Sequence, residues 1–305
     1  MYRKAESVRP DLTPDKLYAL YKHEHDQDTR ITPQIHAGRL GMPYGIYMGR
    51  FWLGEQGAAA GKIQAWELGS PLELEGDYLC IGDVHCPFQS TEWIGLACAI
   101  GKKHLKRPRK LIIGGDFFDF DIFSTFAALV RSPGWHEEKT AARAVMADFS
   151  RVFDEVVMLT GNHERRLTRS TDGELNAQDI ADLLSVNIQK VRMSDFAYCH
   201  LKSGGADWHI SHVKNYGINQ LIVLNELANK WQQNILGFHQ HHLSLGWDRY
   251  KRYLLVEGGT LVRQKGMAYK ELEDGKGPEF ANGFALIRGG YVDLFGEHTN
   301  FERWL

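Results

Sequence analysis

From residue 71 onward the chain alternates two kinds of apolar pattern. Short runs, DYLCIGDVH, KLIIGGDFFD and EVVMLTGNHE, begin apolar and end polar, as strands buried on both faces do. Between them, WIGLACAIGKKHL and EEKTAARAVMADFSRVF space their apolar residues at helical intervals. This repetition predicts parallel βαβ units and an α/β layered fold. Farther on, ADWHISHV, NILGF, RYLLVEGGTL, GFALIRG and YVDLF follow closely on one another. They predict a second, more antiparallel sheet packed against the first. Residues 121–136, DIFSTFAALVRSPGWH, lie between strand and helix and form a candidate lid.

The first 70 residues have a different texture. Thr13-Pro14 and Thr32-Pro33 each set a capping threonine before a first-turn proline, predicting helices through LYALYKHEH and QIHAGRLG. Gly41 ends the second, and YGIYMGRFWLG predicts a third. The expected organisation is a small helical N-terminal domain over 1–70 and a larger α/β domain over 71–305. The segment AGRLGMPYGIYMGRF resembles a DNA-binding helix-turn-helix, from Ala37 through Leu40-Gly41 to Ile46 and Arg50. Its presumed recognition helix offers one arginine among aromatics and glycines, so a packing or dimerisation helix stands beside DNA contact as the alternative.

Composition narrows the class. A chain of 305 residues, 43% hydrophobic, holds one sizeable core and room for a small second domain. The start MYRKAESVRPDL lacks the apolar stretch of a signal peptide, and no run is long enough to span a bilayer, so no membrane partner is expected. Cys80, Cys86, Cys98 and Cys199 show no CxxC pairing and fit reduced thiols in a cytoplasm. Cys86 abuts His85 and reads as a buried thiol, with a soft metal ligand as the alternative. The net charge of -2 excludes a global polyanion-binding surface but not a local basic face.

Candidate chemistry is concentrated in five clusters, most of them where an apolar run ends: Asp83-Val84-His85, Gly115-Asp116-Phe117-Phe118-Asp119, Gly161-Asn162-His163-Glu164, His212 and His239-Gln240-His241. On a strand, Asp83 and His85 would share a face. Asp116 and Asn162 follow the next two strands, so three strand ends converge on the rim where α/β proteins bind ligands. Carboxylate and imidazole together suit Mn²⁺, Fe or Zn²⁺ better than Ca²⁺. Singly, each residue has a plainer reading. Asp83 could cap the helix near residue 91, and Asp119 and Asn162 could be turn residues. His209 competes with His212, and His242 with His239 and His241, while His136 reads as surface. Those plainer readings leave the ordered set unexplained.

The motifs DVH, GDFFD, GNHE, a strand-borne histidine and HQH, over residues 78–242, resemble the calcineurin-like metallophosphoesterase superfamily. DVHCPF and GDFFDFDIFSTF further resemble its bacteriophage and prophage members. The resemblance implies a layered α/β sandwich, two packed mixed sheets flanked by helices, and two divalent metal ions. Mn²⁺ is the first choice, with Fe, Zn²⁺ or Ni²⁺ as alternatives. It also implies that Asp83, His85 and His241 hold one metal, that Asn162, His212 and His239 hold the other, and that Asp116 bridges them. A metal-bridging hydroxide would be the nucleophile and His163 the general acid, its ring oriented by Asp119. Arg165 or Arg166 would add charge to the phosphate, a solvated helix start being the alternative. The chain departs from the family pattern at three places. Phe120 stands where Ser/Thr phosphatases carry Arg, Phe238 stands in the glycine position of the last motif, and Val213 follows His212.

The expected function is a phosphodiesterase or nuclease acting on DNA or nucleotides. A phosphomonoesterase and a non-catalytic metal- or nucleic-acid-binding protein are the alternatives. The expected location is the cytoplasm, a host's if the protein is phage-encoded.

Overall fold

The unbroken apolar runs become the central strands of two six-stranded sheets packed face to face. The computed structural model describes residues 11–48, 50–51, 69–124, 133–184, 190–263 and 280–305. In chain order the strands are β1 (Leu72–Glu75), β2 (Tyr78–Ile81), β3 (Lys110–Ile113), β4 (Glu155–Leu159), β5 (Val191–Ser194) and β6 (Tyr198–Ser203). There follow β7 (Ala206–His212), β8 (Asn234–Phe238), β9 (Leu243–Trp247), β10 (Leu254–Gly258), β11 (Gly283–Arg288) and β12 (Tyr291–Gly296). The helices are α1 (Pro14–Gln27), α2 (Pro33–Arg39), α3 over 44–48, α4 (Thr91–His104), α5 (Trp135–Val152), α6 (Glu164–Ser170), α7 (Ala177–Leu183) and α8 (Ile222–Trp231). None among the described residues is long and apolar enough to cross a membrane.

The first sheet runs β12-β11-β2-β3-β4-β5 and the second β1-β6-β7-β8-β10-β9. Strand alternation gives the first sheet two apolar faces. Leu79, Ile81, Leu111, Ile113, Val156 and Met158 turn to the helix side, against α4 and α5. Tyr78, Cys80, Ile112, Val157 and Leu159 turn to the second sheet. On the far side of the second sheet, Leu224 and Ala228 of α8 pack on Ile235 and Leu255. The layers are therefore helix, sheet, sheet, helix.

Two expectations need correction. GFALIRG and YVDLF do not join the second sheet: β11 pairs with β2 of the first, Ile287 opposite Tyr78, and β12 pairs with β11. Nor is the second sheet more antiparallel. The first sheet pairs β2-β3-β4-β5 in parallel and β2-β11-β12 antiparallel. The second pairs β1 with β6, and β7-β8-β10, in parallel, with β6-β7 and β9-β10 antiparallel. Close spacing signals a hairpin, but a strand apolar on both faces carries no mark of which sheet receives it.

Residues 1–69 and 70–305 form two compact units. In the first, Thr13 and Thr32 accept hydrogen bonds from Lys16 N and Ile35 N, capping α1 and α2. Leu17, Ala37, Met42, Tyr47 and Phe51 make the core of this unit, and buried His36 bonds the Tyr47 hydroxyl at 2.7 Å. Arg50 donates to the Leu12 carbonyl at 3.1 Å, and α3 turns Tyr44 and Gly45 outward. The arginine expected to face DNA is thus tied back to the start of α1. Gly49 and residues 52–54 of YGIYMGRFWLG lie outside the described residues. So do residues 125–132 of the candidate lid; its flanks are a single 3-10 turn, Asp121–Phe123, and the start of α5, where His136 is exposed.

Candidate metal centre

The candidate ligands sit in the loops that follow β2, β3, β4 and β8 and at the last residue of β7. Asp83 and His85 are not on a strand: β2 ends at Ile81, and both have left-handed backbones, φ 50° and 47°. Asp116, His239 and His241 do likewise, with φ of 50°, 92° and 57°. Five of the seven expected ligands therefore hold a conformation that costs an L-residue about 1–2 kcal/mol. Hydrogen bonds between loops keep them there. Asp83 N donates to Gly115 O at 3.0 Å, and Val84 N and His85 N donate to Asp116 O at 2.9 and 3.0 Å.

Glu164 is the strongest of these ties. Its fully buried carboxylate accepts Asp116 N and Gly161 N at 2.9 Å on one oxygen, and Phe117 N and Phe118 N at 2.9 and 3.1 Å on the other. One side chain thereby pins the loops after β3 and β4 together. Burial raises its pKa, and the Asp116 charge adds to that rise. Glu138 of α5 does a similar task farther out, accepting Phe120 N at 2.7 Å where the chain turns at φ 49°. Two glycines make the approach possible. A Cβ on Gly161 would lie 2.1 Å from Asp116 Oδ1, and one on Gly115 2.7 Å from His212 Nδ1.

The seven side chains converge. Asp83, His85 and His241 form one group and Asp116, His212 and His239 a second, each placing its donor atoms close enough to hold a metal ion. A third grouping, His85, Asp116 and His163, lies across them. Asp116 Oδ2 is 3.3 Å from His212 Nε2 and 3.9 Å from His85 Nε2, between the two groups. Asn162 Oδ1 reaches His212 Nε2 at 2.9 Å. Asp83 Oδ1 stands 3.3 Å from His241 Nε2 and 3.8 Å from His85 Nε2, and its other oxygen accepts His239 N at 2.8 Å.

The imidazoles are oriented to offer Nε2. His85 Nδ1 bonds Asp119 Oδ1 at 3.0 Å, and His212 Nδ1 donates to Gly114 O at 3.0 Å. Asp83 Oδ1 and His85 Nε2 are buried with no hydrogen-bond partner. Buried polar atoms left unpaired are costly, and two of them aimed at one point mark a place for a cation. The donor set of four imidazoles, two carboxylates and an amide oxygen suits a divalent transition metal rather than Ca²⁺.

Electrostatics fit the same picture. Burial opposes charge on His85 and His212, but the surrounding carboxylates outweigh it and raise them to about 10 and about 9. Asp83, Asp116 and Asp119 are held below the usual carboxylate range: burial pushes upward, and the neighbouring histidines more than reverse it. The carboxylates thus draw positive charge into the cleft. His239 faces fewer of them, and burial takes its pKa down to about 4, leaving a neutral ring.

His163 enters with its Nε2 3.8 Å from Asp116 Oδ2. Asp119 was expected to orient this ring through its carboxylate. Its main-chain carbonyl accepts from His163 Nδ1 at 2.5 Å, and its carboxylate lies 3.3 Å from the same nitrogen and 3.0 Å from His85 Nδ1. Arg166 reaches the site; Arg165 is exposed. His209 stacks on Trp231 with ring centroids 4.6 Å apart, on the face of the second sheet away from the ligands. His242 instead approaches Glu257, its Nδ1 3.4 Å from Oε1. Cys86 is buried and stands in none of the three groups.

The departures also find places. Phe120 is buried, stacked 4.7 Å from Phe118 and 5.6 Å from Trp135, so that position presents no polar group to the cleft. Phe238 does not narrow the cleft. Its ring lies under it, filling space left by Gly82, Gly114 and Gly258, where added Cβ atoms would fall 2.4, 2.1 and 2.3 Å from ring carbons. Val213 is buried in the α8 layer. Glu138, the loop-tying role of Glu164 and the packing of Phe238 were not expected from the sequence. Glu164 alone carried a signal, as an acid in the first helical turn after a glycine-bearing loop.

Residues 77–271 match the calcineurin-like phosphoesterase family, and the chain belongs to it. As a member it is a metal-dependent phosphoesterase. No curated protein matches it. Among solved structures, Vps29 of Chaetomium thermophilum is 11% identical, with 72% of this chain and 96% of that one covered and a TM-score of 0.39. Vacuolar protein sorting 29 of Cryptosporidium parvum is 13% identical, covering 73% and 96%, with a TM-score of 0.38. A predicted phosphoesterase of Streptococcus pneumoniae is 11% identical, covering 72% and 97%, with a TM-score of 0.33.

Proposed function

We propose that the protein is a two-metal phosphodiesterase acting on a polynucleotide, with DNA the preferred diester. The observation that carries the two-metal reading is the position of Asp116, one carboxylate between two ligand groups. In this reading Asp83, His85 and His241 hold one ion, Asn162, His212 and His239 the other, and Asp116 is shared. Two divalent ions held there, Mn²⁺ first, would supply positive charge to the phosphate oxygens and acidify water as the nucleophile. His163 lies at the rim with Nδ1 held by the Asp119 carbonyl, so Nε2 faces the cleft. From there it delivers a proton to the departing alkoxide, a role typically worth about 10²- to 10⁴-fold.

The choice of diester over monoester rests on position 120. A dianionic monoester needs more neutralising charge than a monoanionic diester, and the buried Phe120 supplies none. The helical unit supports polynucleotide by tethering, through the backbone rather than base edges, because α3 turns Tyr44 and Gly45 outward and Arg50 inward. Comparing bis-p-nitrophenyl phosphate with p-nitrophenyl phosphate in Mn²⁺ tests the reading. The diester is expected to be the better substrate by kcat/KM, and preference for the monoester overturns it.

A further inference from the structure

Arg166 stands one turn along α6 from His163, and its guanidinium makes two contacts. Nη1 donates to the Asp119 carbonyl at 3.0 Å, and Nη2 lies 3.1 Å from His163 Nε2. Both partners belong to the acid side of the cleft. His163 Nδ1 already lies 2.5 Å from the Asp119 carbonyl, a pure acceptor, so Nδ1 carries the proton. Nε2 must then accept from Arg166, and the ring is neutral with its reactive nitrogen covered. Among the described residues no carboxylate lies within ion-pair distance of this half-buried guanidinium, although Asp116 and Asp119 are close at hand. Other arginines of the catalytic unit do find carboxylates, Arg107 with Asp154 and Arg252 with Asp248. A planar, permanently charged fork resting on a carbonyl and an imidazole is under-satisfied, since its preferred partner is an anion with two oxygens.

We propose that Arg166 is the phosphate-binding cation of this site and that it changes partner when substrate arrives. In the free protein it caps Nε2 of His163. A phosphodiester held in the cleft offers two anionic oxygens, a stronger acceptor than a neutral imidazole, and takes the fork. Nε2, which carries no proton while Arg166 donates to it, is uncovered by the same movement and takes from solvent the proton that it gives to the departing alkoxide. The acid is thereby exposed only when a phosphate is present. This rests on the two-metal reading of the site above.

The test uses the full chain loaded with Mn²⁺, with inorganic phosphate as the probe. Arg166→Ala is expected to weaken phosphate inhibition about 10- to 100-fold, the range of a charge-assisted bond, and to raise KM for bis-p-nitrophenyl phosphate in step. Arg166→Lys should recover part of the loss, since charge remains without the fork. Mn²⁺ content and melting temperature should match wild type in both. The deciding measurement is phosphate affinity in a His163→Ala background. If Arg166 binds phosphate itself, adding Arg166→Ala weakens affinity there by the same factor. If it only positions the imidazole, the added substitution changes nothing and the proposal is overturned. A wild-type protein that hydrolyses the diester while Arg166→Ala keeps full phosphate affinity overturns this inference alone. A wild type that neither hydrolyses ester nor binds phosphate overturns the two-metal reading with it.

Discussion

At the scale of single residues, the site depends on how closely backbone can approach a ligand. Gly161 shows this best. Its φ is ordinary, so alanine meets no backbone penalty there, yet the added methyl would lie 2.1 Å from Asp116 Oδ1 and 2.5 Å from Asp116 N. Asp116 cannot yield freely, because Glu164 and the Asp83–His85 loop hold its backbone on both sides. Gly161→Ala should therefore displace the shared carboxylate while leaving the sheets intact. Mn²⁺ affinity is expected to fall about 10- to 100-fold, as for lost support of a metal ligand. The stability cost should be only about 1–3 kcal/mol, as for local overpacking. Mn²⁺ titration and denaturant unfolding measured on the same variant check both halves. Wild-type affinity would mean that Asp116 has slack the hydrogen bonds do not suggest.

At the scale of elements, apolar runs showed where β2, β3 and β4 lie and that polar groups follow their ends. They could not show that the strands stop early. Asp83 and His85 meet not by strand alternation but by two left-handed turns bonded to Gly115 and Asp116. Nothing in a period-2 pattern encodes such a turn when the residue is not glycine. The partner sheet of β11 was hidden for a similar reason, being set by which strand edge is open. Least legible of all was Glu138, whose only sequence context is an amphipathic helix 18 residues from the amide it caps. Its role has a pH signature. Burial lifts its pKa from 4.5 to about 8, so between those values the folded protein keeps a proton that the unfolded chain has lost. Stability contributed by that proton is complete below about pH 4.5 and drains away as pH rises through about 8. Glu138→Gln keeps an acceptor for Phe120 N and abolishes the titration. Relative to wild type, it should flatten the fall in unfolding free energy from pH 5 to pH 8 by about 1–3 kcal/mol. Parallel slopes for the two proteins, measured in chelator, would show that Glu138 is not the proton holder.

At the scale of the whole molecule, the question is how a chain of net charge -2 engages a polyanion. Long-range attraction is absent, so affinity must come from contacts at the cleft. In the helical unit Arg30 pairs with Asp28 at 2.9 Å and Arg39 with Glu24 at 3.1 Å, while Lys16 and Lys22 are exposed. Beside the candidate metal centre and Arg166, the described residues offer scattered exposed cations, Arg165, Lys214 and Arg263 among them. Each phosphate neutralised on a single strand contributes about -0.7 to the slope of log affinity against log salt. Two or three such contacts give a slope on the order of -2, far shallower than for proteins that bind DNA along an extended basic surface. The measurement is KM for a single-stranded oligonucleotide at fixed Mn²⁺ over a range of KCl. A slope near -2 places recognition at the catalytic phosphate, with the strand otherwise loosely held. A slope near -5 or steeper would require an extended basic track, and recognition at the cleft alone would have to be given up.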